Sequence, residues 1–159
     1  MAQAFHIVTR FDGVGGTESH ACELRKLLSD AGHSVTLWSE HPSARAVAVG
    51  ARQIDSFARR FPIGGTMILL GTHQEPGLWL DQARPTRAIL ICNLFSINRT
   101  FAFLTQLERP TLPRIELVFV STLLREAAAL PGFICPPLID LGRFHPSHHL
   151  ASERFRIGR

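Results

Sequence analysis

With 159 residues, 45% of them apolar and 19% charged, the chain has the size and composition of one soluble globular domain, and not of a disordered or collagen-like segment. Its net charge of +4 comes almost wholly from arginine, Lys26 being the only lysine; the arginines are scattered and not interleaved with aromatics, which argues against a nucleic-acid surface. Cys22, Cys92 and Cys135 are widely spaced without a C-x-x-C pair, so Cys22 and Cys92 are expected to be buried thiols in a reducing compartment. No signal peptide is legible, and the longest apolar runs are too short to span a bilayer; the expected location is cytoplasmic.

In chain order, the apolar run of residues 4–9 reads as a strand. The glycine-rich stretch Phe11-Asp12-Gly13-Val14-Gly15-Gly16-Thr17-Glu18 follows, then a helical pattern with Ala21, Leu24, Leu28 and Ala31 on one face. Strand, glycine loop and helix together aim backbone N–H groups and the positive end of a helix dipole at an anion. The glycines are expected to permit a tight turn and a close approach of backbone to phosphate. Gly32 is a natural helix stop, residues 34–39 read as a second strand, and residues 42–50 as a loop or a short extra strand. A helix is expected over residues 53–61, a fully apolar strand over 66–71, a helix over 76–83 and a strand over 87–92. Another helix over 98–107, a strand over 115–120, a short helix over 122–130 and a last strand near 133–135 complete the pattern. Apolar strands without period-two alternation, separated by helices, imply an α/β, Rossmann-like, doubly wound and mostly parallel sheet that binds ligands at the carboxyl ends of its strands. Residues 1–150 are expected to form this domain. Residues 151–159 look like the start of a second one, after a linker rich in proline and histidine.

Gly15-Gly16-Thr17-Glu18, followed by Ala21, Leu24, Leu28 and Gly32-His33-Ser34-Val35-Thr36, resembles the opening of the family-four, retaining glycosyltransferases of the GT-B fold. Three further segments resemble that family in the same order: Thr72-His73-Gln74-Glu75-Pro76, Val118-Phe119-Val120-Ser121 with Arg125, and Ile139-Asp140-Leu141-Gly142-Arg143-Phe144-His145-Pro146. The resemblance covers essentially the whole chain. It implies the acceptor-binding half of an enzyme that moves a sugar from a nucleotide-sugar donor to a saccharide or lipid-linked acceptor. Gly15 and Gly16 would reach the donor diphosphate, and their N–H groups would stabilise charge on the leaving phosphate. In that family the carboxylates holding the donor lie in a second domain, as an E-x7-E motif, so this chain alone is expected to be inactive. No cofactor and no metal are implied.

His73 follows a buried strand at the ligand edge, where it either contacts a sugar hydroxyl as a catalytic group or serves as an ordinary loop histidine. Asn93 falls where many relatives carry a cleft histidine; it can hydrogen-bond a sugar but cannot titrate near neutrality. Thr17, Glu18 and Ser121 are cleft or acceptor-site candidates, although Ser121 reads more readily as the cap of the helix it precedes. His145, His148 and His149 lack the cysteine or carboxylate company of a metal site. Arg52, Arg59 and Arg60 flank an apolar helical face that suits either the core or a peripheral contact with anionic lipid. Two other classes stay open. One is a stand-alone sugar- or nucleotide-binding module. The other is an NAD(P)-dependent oxidoreductase domain, for which Glu18 stands where the fingerprint G-x-G-x-x-G has its third glycine and Glu40 is the only acid near the end of the second strand.

Overall fold

Parallel strands buried on both faces need apolar side chains on both, and β4, Thr66–Leu70, is enclosed at every position. The computed structural model describes residues 1–13, 15–54, 64–71, 80, 83–92 and 115–138. Along them run β1 (Ala4–Thr9), α1 (Gly16–Asp30), β2 (Ser34–Ser39), α2 (Ala44–Ala48), β3 (Arg52–Gln53), β4, β5 (Arg87–Cys92), β6 (Ile115–Phe119), α3 (Thr122–Ala128) and β7 (Phe133–Ile134). Leu80 and Ala83 are also helical.

The strands form one seven-stranded sheet in the order β3-β2-β1-β4-β5-β6-β7, every pairing parallel. Successive residues of each strand feed opposite layers. Ile7, Leu37, Ile68, Leu70 and Ile91 pack with Ala21 of α1 and Ala46 of α2 on one face. Val8, Trp38, Met67, Leu69 and Leu90 pack with Leu80, Ala83, and Leu124 and Ala128 of α3 on the other. Each fully buried aliphatic side chain contributes about 1.5–3 kcal/mol. The fold is therefore α/β, Rossmann-like and doubly wound.

β1 and β2 have the expected bounds, and α1 ends where Gly32 adopts φ +82°. There the N–H of His33 donates to Leu28 O (3.0 Å) and that of Gly32 to Ser29 O (2.9 Å), a Schellman closure. Residues 42–50 differ from expectation: Ser43 accepts the N–H of Ala46 and opens the short helix α2 instead of a loop or strand. Gln53 is paired in β3, and neither it nor Ile54 is helical; residues 55–61 of the helix expected over 53–61 lie outside the described residues, as do the segments 98–107 and 139–159. Cys22 is half-buried, where full burial was expected; Cys92 is buried and Cys135 exposed, and all three are free thiols. No described helix is long and apolar enough to cross a membrane.

Candidate functional site

The strand order reverses direction at β1, whose neighbours are β2 on one side and β4 on the other. At such a switch point the connections leave towards opposite faces and open a crevice at the carboxyl ends of the strands. Here the buried Thr9 hydroxyl donates to Leu70 O across 3.1 Å and fastens the ends of β1 and β4 together. Immediately beyond β4, Gly71 has φ +85°, and a Cβ placed on it would lie 3.8 Å from Thr17 Cγ2. The first turn of α1 thus sits against the exit of β4, over the crevice.

That first turn has no side-chain cap. Gly15 is its N-cap residue, with φ −110° and ψ 174°, and Ser19 N–H to Gly15 O is the first helical hydrogen bond, at 3.1 Å. The earlier N–H groups of any helix have no acceptor within it and carry its positive partial charge. Gly15, Gly16 and Gly13 are exposed, and Thr17 and Glu18 half-buried. The Glu18 carboxylate folds back over the loop: a Cβ on Gly15 would lie 2.5 Å from Glu18 Oε2. A ligand anion at this position would have to displace that carboxylate.

The expected reason for the glycines is only half met. Gly15 is extended, a conformation open to any residue, and neither Gly13 nor Gly16 has a positive φ. Cβ atoms added to Gly13 or Gly16 would meet nothing within 4 Å. No tight turn demands these glycines; the missing side chains of Gly13 and Gly16 leave open space beside the backbone of the helix entrance, whereas the space beside Gly15 holds the Glu18 carboxylate.

Beside the loop, Arg10 Nε donates to Glu40 Oε2 at 2.7 Å, and the Glu40 side chain is only 2% exposed. His41 Nε2 lies 3.9 Å from the same oxygen. Glu40 was the candidate ribose ligand of a dinucleotide site, yet its carboxylate is enclosed and engaged by arginine. Arg10 carried no signal beyond its position after the strand.

Ser121 lies at the carboxyl end of β6 as the N-cap of α3, and its Oγ accepts the Leu124 N–H at 3.2 Å. The structure therefore brings Gly15, Gly16, Thr17 and Glu18 together at the switch point and places Ser121 two strands beyond β4, at the same edge of the sheet. His73 and Asn93 lie outside the described residues, as do His145, His148, His149, Arg59 and Arg60. Arg52 is described: its guanidinium lies 5.9 Å from the centre of the Trp38 ring.

One histidine of this region was not foreseen. His20, one turn into α1, is 5% exposed, and burial holds its pKa below the ordinary histidine value. The signal available was a polar residue beside the apolar stripe of Ala21, Leu24 and Leu28.

No family model matches this chain, and no curated protein matches it. One solved structure, described as "Crystal structure of uncharacterized protein", is 17% identical, covers 81% of this chain and 98% of its own, and superposes with a TM-score of 0.44. A likeness at that level carries no argument about what the chain does.

Proposed function

We propose that this chain is the acceptor-side half of a glycosyltransferase that uses a nucleotide-sugar donor, with the entrance of α1 facing the donor diphosphate. The observation that carries the reading is the pair of exposed glycines at that entrance: Gly15 and Gly16 stand at the switch point in backbone conformations that do not require glycine. A side chain there would fill the space through which a phosphate approaches the N–H groups. The resemblance in the order of the sequence motifs supplies the reaction class. On this reading His73 and Asn93 line the cleft as its catalytic candidates, while Thr17, Glu18 and Ser121 contribute polar groups towards the acceptor. The acceptor is a saccharide or a lipid-linked saccharide, and no metal or cofactor is called for. The burial of Glu40 against Arg10 weighs against a nicotinamide dinucleotide, whose ribose needs an accessible carboxylate at the end of β2.

The test is titration of the isotopically labelled chain with uridine diphosphate, guanosine diphosphate and reduced nicotinamide adenine dinucleotide, followed through backbone amide resonances. The expected result is saturable shifts of the Gly15, Gly16 and Glu18 amides with at least one nucleoside diphosphate. Unmoved amides, or tighter binding of the dinucleotide than of either diphosphate, would overturn the proposal.

A further inference from the structure

We propose that the Arg10 guanidinium is the contact for an oxyanion, a phosphate or carboxylate group of a small ligand, at the carboxyl ends of β1 and β2. This contact goes beyond the reading above, which assigns Arg10 no part, and it needs no ligand at the entrance of α1.

Arg10 and Glu40 are the first residues beyond β1 and β2, whose last residues, Thr9 and Ser39, are partners in register. The segment after β2 holds Arg10 at three points. Glu40 N–H donates to Thr9 O at 3.3 Å, the Ser43 hydroxyl donates to Phe11 O, and Arg10 Nε donates to Glu40 Oε2 at 2.7 Å. The carbonyls before and after Arg10 are thus both bound, and so is the root of its guanidinium. Two of these bonds already tie the loops together without any charge. Enclosing the Glu40 carboxylate, whose side chain is 2% exposed, costs desolvation that such a tie does not require. What the carboxylate adds is a fixed guanidinium, with rotamer entropy lost in folding that a ligand need not remove again.

Arg87, which opens β5 at the opposite end of the strands, pairs differently. It takes both oxygens of Glu116, from Nε at 2.7 Å and from Nη2 at 2.5 Å. Arg10 uses Nε alone, and among the described residues neither of its Nη groups makes a hydrogen bond. Nor are those nitrogens enclosed: the only buried, unpartnered side-chain nitrogen among the described residues is Arg45 Nε. Both Nη groups therefore reach solvent, on a side chain that is 39% exposed. The ion pair meets solvent through its cation. Donors set in one plane match the paired oxygens of a phosphate or carboxylate, and they stand at the edge of the sheet where doubly wound folds take their ligands.

The experiment uses the full chain in about 0.15 M salt, where the field of surface charge is screened beyond about 8 Å. Inorganic pyrophosphate and succinate are titrated separately, and the guanidinium signals of Arg10 and Arg87 are followed by NMR with the Gly16 amide. The expected result is a saturable shift of the Arg10 signals with at least one anion and none at Arg87. A response to pyrophosphate alone makes the natural group a phosphate, and a response to succinate alone makes it a carboxylate; either supports the contact. Arg10→Lys, which keeps a charge beside Glu40 but loses the planar fork, then weakens binding of the responding anion about tenfold. A silent Arg10, or Arg10 and Arg87 drifting together without saturation, overturns the inference. Gly16 moving beside a silent Arg10 leaves the donor-diphosphate reading standing, whereas Arg10 moving beside a silent Gly16 supports this contact alone. The Arg10 signal is read in the unmodified chain, so the result does not depend on whether a variant folds.

Discussion

Glycine precedes two of the strands for one reason and opens helix α1 for another. Gly65, just before β4, has φ +71°, and a Cβ there would lie 2.8 Å from Ala4 O; Gly132, just before β7, would place a Cβ 2.7 Å from Leu117 O. These glycines are dictated by packing, since backbone runs past them too closely for any side chain. Gly16 has open space around it, and nothing in the fold explains why it lacks a side chain. The same residue type is thus structural at the amino ends of β4 and β7 and available to a ligand at the carboxyl end of β1. That contrast separates what holds the sheet together from what it presents.

The largest effect should come from breaking the structural side. Gly65→Ala combines a left-handed backbone with a contact against Ala4 O, which other atoms cannot easily vacate. The expected loss is about 3 kcal/mol, read as a shift of the urea midpoint at constant slope. A loss under about 1 kcal/mol would show that this edge relaxes freely and that the contrast is false. Gly16→Ala is the opposite experiment. Stability should stay level or rise by up to about 1 kcal/mol, because alanine is the better helix former. Pyrophosphate affinity should fall by about tenfold or more, equivalent to about 1.4 kcal/mol. A variant that binds as well as the parent would remove the reason for calling this glycine functional.

A parallel contrast holds between helix entrances. α2 and α3 begin at serines whose hydroxyls accept a backbone N–H, from Ala46 at 2.9 Å and from Leu124 at 3.2 Å. Ser43 also donates to Phe11 O, tying α2 to the loop after β1. α1 begins at Gly15 with no side-chain cap. Ser121→Ala should therefore cost about 1 kcal/mol of stability and leave pyrophosphate binding unchanged. If it weakened binding as much as Gly16→Ala does, the hydroxyl would act on the phosphate as well as on the cap and the acceptor side.

The legibility of these features follows from how each is encoded. The strands were readable because parallel strands enclosed on both faces need uninterrupted apolar runs, as in Met67, Ile68, Leu69 and Leu70. α1 was readable from its apolar stripe and its Gly32 stop. α2 was not, since a helix of five residues with only Ala46 buried has no period to detect; its one signal was the capping serine, Ser43. The loop could be found as a motif, but the reason for its glycines could not, because backbone angles and neighbouring atoms are properties of the folded chain. Glu40 shows the same limit. Its place at the end of β2 could be read, whereas its burial against Arg10 arises from two loops brought together by the sheet.

The smallest expected effect draws the contrast between two histidines. His6 accepts the Trp38 Nε1–H on Nδ1 at 3.3 Å, and its pKa is lowered by burial and then by the nearby Arg52 cation. His20 is lowered by burial alone and has no such hydrogen bond. In both cases the unfolded chain takes up a proton near pH 6.5 and the folded chain only at lower pH. Unfolding therefore binds protons, and stability rises with pH in that window. The contribution is complete above pH 6.5 and is lost as pH falls below it through the lowered folded-state values. His6→Leu and His20→Leu should each flatten that part of the stability profile. They should differ at pH 8, where the proton term is gone. Replacing His6 removes an acceptor from a buried tryptophan and should cost about 1 kcal/mol, whereas replacing His20 removes no hydrogen bond and should cost less. Equal losses at pH 8 would mean that the imidazole of His20 is held by a polar partner within the fold.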